Sequence, residues 1–491
     1  MKLLDICTKA KINCPDHLSS LDVKGITSNS RDVKEGYIFF CLEGTKVDGH
    51  RYIVDALLRG ACCVVIENEK YACEKALKVP STRVVLANMM NVFCGEPTKK
   101  LKFIGVTGTN GKTSVTEMLK NIFTHAKISC ATVGTLNSSS FSPNSDGSTA
   151  NFTTPDPEEL YPQLQRISDA GIEYVVMETT SHALKLDKLA PINFEIGIFT
   201  NLTEDHLDFH HTMEDYFKSK LRLFNKCKIG IINVDDDSGK KIKNLAPCKI
   251  KSCSMEQKAD FFAEDIKNLG EDGTQYAIRY GNTKIPIACK VPGQFSVMNS
   301  MQACAAALVL GLDRKIIDSS FNDFFGVCGR LERVLLPPEC EFSVYIDYAH
   351  TPDALQKLLE TVNGFKGSEQ RVVLLFGCGG DREQEKRKIM GSIATRLADF
   401  TVVTSDNPRS EEPTDIINQI LMGIDEGASL AVIPERKRAI EYAIATVKRG
   451  DIIVLAGKGH EKYEINANGR FPFDEREVIR ETIEKYYERK K

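Results

Sequence analysis

Residues 102–114 read Lys-Phe-Ile-Gly-Val-Thr-Gly-Thr-Asn-Gly-Lys-Thr-Ser, and this stretch decides the fold. Its apolar half, residues 102–106, predicts a buried strand, and a helix is expected to follow through about Phe123. Glycines let backbone N–H groups approach phosphate oxygens, and a helix N-terminus favours an anion. We therefore expect a phosphate-binding loop in which Lys112 reaches the β- and γ-phosphates and the Thr113 hydroxyl is a ligand for Mg²⁺.

The loop is a variant of the standard G-x-x-x-x-G-K-[ST] pattern. Val106 occupies the position of the first glycine, and Gly105 and Gly108 are offset from it. The alternative is a glycine-rich turn with a surface lysine. Strand, loop and helix arrive in the required order, and this order favours the phosphate loop.

The length of the chain predicts about three domains, because 491 residues are shared among units of about 150. Gly95–Lys100 interrupts the hydrophobic pattern with Gly, Pro and charge, and predicts one boundary. A second is expected near residue 330. The predicted units are residues 1–100, 101–329 and 330–491. In the first, three apolar runs and one helical stretch predict a small mixed α/β unit; they are Tyr37–Leu42, Cys62–Ile66, Arg83–Leu86 and Tyr52–Arg59.

After residue 330, strand and helix patterns alternate regularly. The strand candidates are Phe342–Ile346, Val372–Phe376, Phe400–Thr404, Leu430–Ile433 and Ile452–Leu455. The helical patterns between them are Pro352–Thr361, Gln384–Ala398, Pro413–Ile424 and Arg436–Val447. This alternation predicts an α/β fold with a Rossmann-like, doubly wound sheet, and a mostly parallel sheet is expected in the central unit. Ligands of such sheets bind at the carboxyl ends of the strands.

Composition excludes several classes of protein. Lys+Arg is 64 and Asp+Glu is 67, a near balance that argues against binding of nucleic acid or a polybasic membrane anchor. No apolar run approaches the ~18 residues that a membrane span needs. The 16 cysteines show no C-x-x-C spacing and are too sparse for a disulfide scaffold. A cytoplasmic protein with small-molecule substrates is expected, and a monomer is the simplest expectation.

Acids and imidazoles follow two further predicted strands of the central unit. Glu178 comes directly after the strand at 173–177, and its carboxylate suits a Mg²⁺ ion beside phosphates. His206 follows the strand at 194–199 and is either an unusual second ligand or a hydrogen-bonding residue. Lys220 lies in a helical stretch at 213–224, and the residues alone favour a solvated lysine there.

Taken together, the motifs resemble the Mur ligase family, and its MurE type in particular. The resemblance covers nearly the whole chain. In chain order the motifs are Gly-Thr-Asn-Gly-Lys-Thr at 108–113, Met-Glu-x-x-Ser-His at 177–182, Asn-Leu-x-x-Asp-His-Leu-Asp-x-His at 201–210, Asp-Tyr-Ala-His-Thr-Pro-Asp at 347–353, Asp-Asn-Pro-Arg at 406–409 and Gly-Lys-Gly-His-Glu at 457–461.

The resemblance implies an ATP- and Mg²⁺-dependent ligase of peptidoglycan precursor synthesis. It would join an amino acid to the D-glutamyl carboxylate of UDP-N-acetylmuramoyl-L-alanyl-D-glutamate through an acyl phosphate. The first unit would bind the uridine nucleotide, the second ATP and the third the amino acid. The resemblance also revises the expectation for Lys220, because in the family this lysine carries a carbamate that is a ligand for Mg²⁺.

Matching positions imply the site residues. The catalytic residues are Lys112, Glu178, His206 and Lys220. The metal ligands are Thr113, Glu178, His206 and Lys220 as its carbamate. The ATP set is Gly108, Thr109, Asn110, Gly111, Lys112, Thr113, Ser114, Asn299, Arg330, Asp347 and His350. The muramoyl-dipeptide set is Ser30, Thr45, Lys46, Thr153, Thr154, Thr180 and Lys188, the last standing where the family usually has Arg. The amino-acid set is Arg382, Asp406, Asn407, Pro408, Arg409, Gly457 and Glu461.

Arg409 favours meso-diaminopimelate over L-lysine as the incoming amino acid. A guanidinium pairs bidentately with the distal carboxylate of diaminopimelate, and it would repel the bare ammonium of lysine. Glu461 can accept the ammonium of the distal centre. The alternatives are an L-lysine-adding enzyme, a ligase like folylpolyglutamate synthetase, or a nucleotide-binding regulator without ligase activity. Ser30-Arg31 and Asp48-Gly49-His50 disfavour the folate ligase, and the retained catalytic set disfavours the regulator.

Overall fold

The computed structural model describes residues 1–44, 47–136 and 153–488. The helices are α1 Leu3–Ala10, α2 Ile53–Leu58, α3 Thr82–Phe93, α4 Lys112–His125, α5 Pro157–Asp169, α6 Ser181–Lys185, α7 Leu207–His210, α8 Met213–Leu221, α9 Asp237–Leu245, α10 Gln294–Val309, α11 Arg314–Ser320, α12 Pro352–Phe365, α13 Glu385–Leu397, α14 Pro413–Leu421, α15 Arg436–Thr446 and α16 Glu475–Glu488. Within these ranges, no helix is long and apolar enough to cross a membrane.

In the described residues, the strands form three larger sheets and one hairpin. They are β1 Gly25–Thr27, β2 Tyr37–Phe40, β3 Cys63–Ile66, β4 Ala76–Lys78, β5 Lys102–Thr107, β6 Cys130–Val133, β7 Tyr174–Glu178, β8 Phe194–Phe199, β9 Cys227–Asn233, β10 Lys249–Ser254, β11 Phe261–Asn268, β12 Thr274–Tyr280, β13 Thr283–Cys289, β14 Glu332–Arg333, β15 Ser343–Asp347, β16 Val372–Phe376, β17 Phe400–Val403, β18 Leu430–Val432, β19 Ile452–Ala456, β20 Tyr463–Asn466 and β21 Gly469–Pro472.

The first sheet is small and parallel, in the order β1-β2-β3-β4. Two of the three apolar runs predicted for this unit are its strands β2 and β3. The third run, Arg83–Leu86, lies in helix α3, so its expected place beside the strands is corrected. The Ser81 hydroxyl accepts from the N–H of Val84 and caps the helix, which explains why this apolar run begins a helix.

The central sheet has nine strands in the order β13-β12-β11-β10-β9-β8-β5-β7-β6. Strands β5 to β11 pair in parallel, and β12 and β13 continue the sheet antiparallel. Helices α4 and α10 bury one face, where Val115, Leu119 and Met301 join the core. Strand β5 lies between β7 and β8, so the three carboxyl ends meet at one edge.

The third sheet has the order β14-β15-β19-β16-β17-β18 and is parallel apart from the short β14. The α/β fold class with a mostly parallel central sheet and a doubly wound third sheet is confirmed. Strand β16 has the predicted bounds, while α12 continues to Phe365 and α14 ends at Leu421. The predicted helix at 213–224 ends at Leu221, three residues early. The carboxyl ends of β15, β16, β17 and β19 again meet at one edge.

Candidate active site

The loop between β5 and α4 closes tightly around its glycines. Gly111 has φ +86°, and a Cβ there would lie 2.5 Å from Oδ1 of Asn299. The amide of Asn299, on α10, therefore lies against the loop, and its role in binding the nucleotide stays a prediction. The loop carbonyl of Asn110 accepts from the Thr200 hydroxyl (2.6 Å), and the N–H of Asn110 donates to Asn201 Oδ1 (2.9 Å). These contacts bind the loop to the end of β8.

Two lysines converge on the same loop. Lys112 Nζ donates to the carbonyls of Gly108 (3.0 Å) and Thr109 (2.8 Å), and Lys220 Nζ donates to the carbonyl of Gly108 (2.8 Å). Lys220 is only 1% exposed, so the interpretation as a solvated lysine is wrong. Burial, helped by the charge of Lys112, holds the pKa of Lys220 well below its usual value.

Glu178, at the end of β7, is bonded by hydroxyl and amide donors. The Thr113 hydroxyl lies 3.1 Å from each carboxylate oxygen, and Thr135 donates its N–H (2.8 Å) and its hydroxyl (3.2 Å). Glu178 is 1% exposed. The guanidinium of Arg330 reaches the Thr113 hydroxyl (3.4 Å), which brings three predicted residues into one chain of contacts.

His206 lies in a cluster of rings beside this chain of contacts. Its ring centroid is 4.9 Å from that of His182 and 6.1 Å from that of Tyr216. The Tyr216 hydroxyl is 3.2 Å from the Thr109 hydroxyl, which connects the cluster to the phosphate loop. In the described ranges, no group of three His, Cys, Asp or Glu residues could hold a metal ion. A metal here needs oxygens from outside that set of side chains, such as hydroxyls, a modified lysine or a phosphate.

The start of α12, the helix that follows strand β15 of the third sheet, contacts the same phosphate loop. The Asn110 amide donates to Asp353 Oδ2 (3.1 Å), and the Thr203 hydroxyl donates to the same oxygen (2.9 Å). The carboxylate of Asp347 accepts from the N–H groups of Leu331 (2.6 Å) and Ala349 (2.8 Å), which fixes the segment carrying Arg330.

The remaining residues that are predicted to bind ATP also lie close to this edge of the third sheet. His350 Nδ1 is 2.9 Å from the carbonyl of Tyr348, and the guanidinium of Arg330 lies 4.7 Å from the centre of the Tyr348 ring. Ser114 lies in the first turn of α4. The structure thus brings the predicted nucleotide residues together, and their binding roles stay predictions.

Three threonines of the predicted muramoyl-dipeptide set lie beside Glu178. The Thr154 hydroxyl donates to the carbonyl of Glu178 (2.7 Å) and to the Thr180 hydroxyl (3.1 Å), and Thr180 caps helix α6. The Thr135 hydroxyl contacts Thr153 (3.4 Å). These hydroxyls already have protein partners, so turn and cap roles account for part of their arrangement.

The other members of that set lie near the start of α5. Lys188 pairs with Asp156 (2.6 Å), directly before the helix. Ser30 is buried in a short 3₁₀ turn, and the adjacent Ser28 donates to Glu158 on α5. This contact brings the first unit to the central one. Two predicted contacts, Thr45 and Lys46, lie outside the described residues.

The residues predicted to bind the incoming amino acid meet at the edge of the third sheet. Asn407 Nδ2 donates to Glu461 Oε2 (2.7 Å), and Arg409 Nη1 donates to the carbonyl of Gly380 (2.8 Å). Arg382, which is exposed, and Arg409 both lie beside Gly379. Gly457 has φ +116°, and a Cβ there would lie 2.4 Å from Asp406 Oδ2. Pro408 is buried between Asn407 and Arg409.

Glu461 is the carboxylate most affected by this assembly. Burial, supported by the charge of Asp406, raises its pKa. The bond from Asn407 and the guanidinium of Arg409 act in the opposite direction. A partly buried carboxylate beside an arginine is suited to a ligand that carries both an ammonium and a carboxylate group.

Family models match three segments of this chain. The Mur ligase family catalytic domain matches residues 22–94, the Mur ligase middle domain residues 106–307, and the Mur ligase glutamate ligase domain residues 329–459. The chain belongs to the Mur ligase family. This confirms the resemblance carried by the motifs, and with it the predicted class, an ATP-dependent amide-forming ligase.

Relatives within the Mur ligase family match over the full length. A protein named UDP-N-acetylmuramoyl-L-alanyl-D-glutamate–2,6-diaminopimelate ligase from Clostridium tetani is 38% identical over 99% of this chain and 100% of its own. The protein of that name from Clostridioides difficile is 40% identical over the same shares. A solved structure of a ligase with this name has a TM-score of 0.69 at 28% identity, covering 99% of this chain and 100% of its own.

The ion pairs that support the amino-acid loop, residues 405–411 after β17, were not predicted from the sequence. Arg387, which is fully buried, pairs with Glu411 (2.7 and 2.9 Å) and donates to the carbonyl of Gly379 (3.1 Å). Arg436 pairs with Glu475 (2.8 Å) and donates to the carbonyl of Ser405 (3.1 Å). Charges spaced 24 and 39 residues apart give no local signal, because only the fold brings them together.

Lys458 is a further residue of this site that was not predicted from the sequence. Its Nζ donates to Asn407 Oδ1 (3.0 Å) and to the carbonyl of Tyr463 (2.8 Å), and the side chain is fully buried. It orients the amide that bonds Glu461. The signal was in the sequence, because Lys458 lies inside the Gly-Lys-Gly-His-Glu motif, but its role depends on where β19 ends.

Proposed function

We propose that this protein adds meso-diaminopimelate to the D-glutamyl carboxylate of UDP-N-acetylmuramoyl-L-alanyl-D-glutamate, with conversion of ATP to ADP and phosphate. The observation that carries this proposal is that Arg409 and Glu461 both bond to Asn407 at one edge of the third sheet, Arg409 to its carbonyl (3.4 Å) and Glu461 to its side-chain amide (2.7 Å). A guanidinium and a carboxylate side by side match the two charges of the distal end of diaminopimelate. Lysine offers only the ammonium.

The first step activates the carboxylate. A carboxylate oxygen is a poor leaving group, so the D-glutamyl carboxylate attacks the γ-phosphorus of ATP and forms an acyl phosphate as ADP leaves. Lys112 and Arg330 lie at the phosphate loop, where their charges stabilise the phosphate oxygens in the transition state. Backbone N–H groups at the start of α4 bind the phosphates further.

Thr113, Glu178, His206 and Lys220 would hold Mg²⁺ in this proposal. Thr113 and Glu178 fit the ion, because a hydroxyl and a buried carboxylate already lie 3.1 Å apart at the loop. Bound there, the ion would neutralise charge on the phosphate oxygens. The lowered pKa of Lys220 favours a neutral amine, whose nitrogen can attack CO₂ and lose a proton to give a carbamate. That step turns a cation into an oxygen ligand.

The second step forms the amide bond. The amine of diaminopimelate attacks the acyl carbon, and the tetrahedral intermediate releases phosphate. Arg409, Asn407 and Glu461 orient the amino acid, while Arg382 offers a second guanidinium beside Gly379. Water would hydrolyse the acyl phosphate, so the third unit must cover the loop during the reaction. The contacts of Asp353 with Asn110 and Thr203 support such closure.

The three units then have separate tasks. Residues 1–100 bind the uridine nucleotide, with Ser30, Thr45 and Lys46 as contacts, residues 101–329 bind ATP, and residues 330–491 bind the amino acid. Thr153, Thr154, Thr180 and Lys188 hold the muramoyl-dipeptide between the first two. We infer that the protein acts as a monomer in the cytoplasm, in the precursor stage of peptidoglycan synthesis.

Phosphate release tests the proposal directly. Purified protein is incubated with ATP, Mg²⁺ and UDP-muramoyl-dipeptide, and then with diaminopimelate, lysine or ornithine in turn. Fast release with diaminopimelate is the expected result. Faster release with lysine would overturn the choice of amino acid but not the reaction, and no release with any of the three would overturn both.

A further inference from the structure

Two cysteines approach each other at the edge of the central sheet opposite the phosphate loop. Cys227 begins β9, and Cys248 directly precedes β10, the parallel neighbour of β9. Their sulfur atoms are 3.5 Å apart, with the Cys227 thiol donating to Cys248. Lys249, next to Cys248, lies opposite Ile229 on β9, so the two cysteines are near neighbours across the strand pair, and side-chain rotation would bring their sulfur atoms from 3.5 Å to the about 2 Å of a disulfide.

We propose that Cys227 and Cys248 form a dithiol site that peroxide oxidises to an intrachain disulfide. The Cys248 thiolate attacks one oxygen of hydrogen peroxide, giving a sulfenic acid as the O–O bond breaks and the second oxygen leaves as water after protonation. Cys227 sulfur then attacks the sulfenyl sulfur, and the hydroxyl leaves as a second water. The two thiols lose two electrons and two protons, and peroxide is reduced to two waters.

The surroundings of the pair favour this reaction. Both residues are half-buried, so small oxidants can reach them. The bond from the Cys227 thiol lowers the pKa of Cys248 to about 7, which supplies a thiolate at neutral pH. Cys7 is a contrast, because it is completely buried in the first unit and burial raises its pKa to about 12.

The disulfide would close residues 227–248, which contain β9 and α9, into a covalent loop. Strands β9 and β10 reach the catalytic edge only at their far ends, near Asn233, which donates to the carbonyl of Thr200. We therefore expect oxidation to stabilise this segment against local unfolding and to leave the phosphate loop in place. The site is independent of the amino acid that the enzyme uses.

Peptide mapping after oxidation tests the proposal. The whole protein is treated with hydrogen peroxide, alkylated, digested and analysed by mass spectrometry with and without a reducing agent. The expected product is one peptide pair joined through Cys227 and Cys248, lighter by two hydrogen atoms and separated again by the reducing agent. Cys227→Ser should remove the pair and leave Cys248 as a sulfenic acid that a dimedone probe labels.

Cys73→Ser is the matched control, because Cys73 is an exposed cysteine of the first unit. This variant should form the Cys227–Cys248 pair as the parent does. Hydrogen exchange of the β9 and β10 amides should slow severalfold on oxidation in the parent and stay unchanged in Cys248→Ser. Oxidation at Cys73 without any linked Cys227–Cys248 peptide would overturn the proposal, as would equal yields of unrelated cysteine pairs.

Discussion

The phosphate loop and the amino-acid loop place their charges by opposite means. At the phosphate loop, Lys112 and Lys220 bond to backbone carbonyls and Glu178 bonds to hydroxyl and amide donors. At the amino-acid loop, Arg387 and Arg436 form buried ion pairs. Their guanidinium groups also donate to backbone carbonyls in and beside the loop. Neutral partners leave charge available for a ligand, whereas the two charges of an ion pair compensate each other. The charged groups at the phosphate loop thus bond to neutral groups, whereas the amino-acid loop has additional, mutually paired charges that fix its backbone.

Removing Arg436 should give the largest effect and would show whether the amino-acid loop depends on its ion pairs. Arg436→Met leaves Glu475 buried without its partner, which costs about 3–5 kcal/mol in the free energy of unfolding of the third unit. Hydrogen exchange of the β17 and β19 amides measures that free energy. Arg438→Met is the control, since Arg438 pairs with Glu435 in solvent and should cost under about 1 kcal/mol. If both substitutions lowered the free energy of unfolding equally, the amino-acid loop would not depend on its buried ion pairs.

Lys112→Met should have the next largest effect, on rate and not on stability. We expect kcat for phosphate release to fall by about 10²–10³-fold, because a preorganised charge at the phosphates is lost. Lys218→Met, on an exposed face of α8, serves as the control and should keep the parent rate. If Lys112→Met instead unfolded the central unit at unchanged kcat, its charge would be structural, and the two loops would not differ as stated.

Arg409→Lys sharpens the comparison at the second loop. Lysine keeps the charge but not the planar fork, so kcat/KM for diaminopimelate should fall about 10–100-fold, the value of a charge-assisted hydrogen bond. Phosphate release at varied diaminopimelate concentration measures this. Arg470→Lys provides a nearby control, because Arg470 stacks on Tyr463 and lies outside the proposed contacts. Unchanged kcat/KM in Arg409→Lys would exclude bidentate recognition.

Glu461 gives the smallest effect, which depends on pH. Its pKa is raised on folding, so the folded state binds the proton more tightly, and its contribution to stability is lost as pH rises from its unfolded pKa through its folded one. Glu461→Gln should therefore be slightly more stable than the parent at neutral pH and equal to it in acid. Thermal unfolding at several pH values measures the difference.

The same change should weaken binding of the amino acid, because the proposed partner of its ammonium is gone. The KM of the parent for diaminopimelate should rise as pH falls through the raised pKa of Glu461, and that dependence should be absent in Glu461→Gln. A variant that was less stable at neutral pH and bound the amino acid normally would assign Glu461 a structural role alone.

Local patterns predicted most of the elements. The strand at 194–199 and the strand at 372–376 have their predicted bounds, because largely apolar runs of this length are buried in a parallel sheet. Arg83–Leu86 was placed wrongly because an apolar run of four residues fits a strand or a helix equally well. The cap at Ser81 decided between them.

The site was predicted unevenly for a physical reason. Residues within one loop, such as Lys112 and Thr113, could be related to each other by spacing, and the family resemblance added Arg409 and Glu461. Lys220 was misread from the residues alone, because its helix carries charge on both sides and burial is a property of packing. The partners Arg387 and Glu411 were not predicted at all.

The sequence by itself determined the order of strand, loop and helix at 102–125, the regular α/β alternation after residue 330 and the chemical types of residue at each strand end. Those are local consequences of hydrophobic period, glycine and helix capping. Only the tertiary structure decided that Lys220 lies 2.8 Å from a loop carbonyl 112 residues away, and that Arg436 and Glu475 face each other out of water. Burial and long-range pairing arise when distant segments pack together, and no local pattern records which segments will meet.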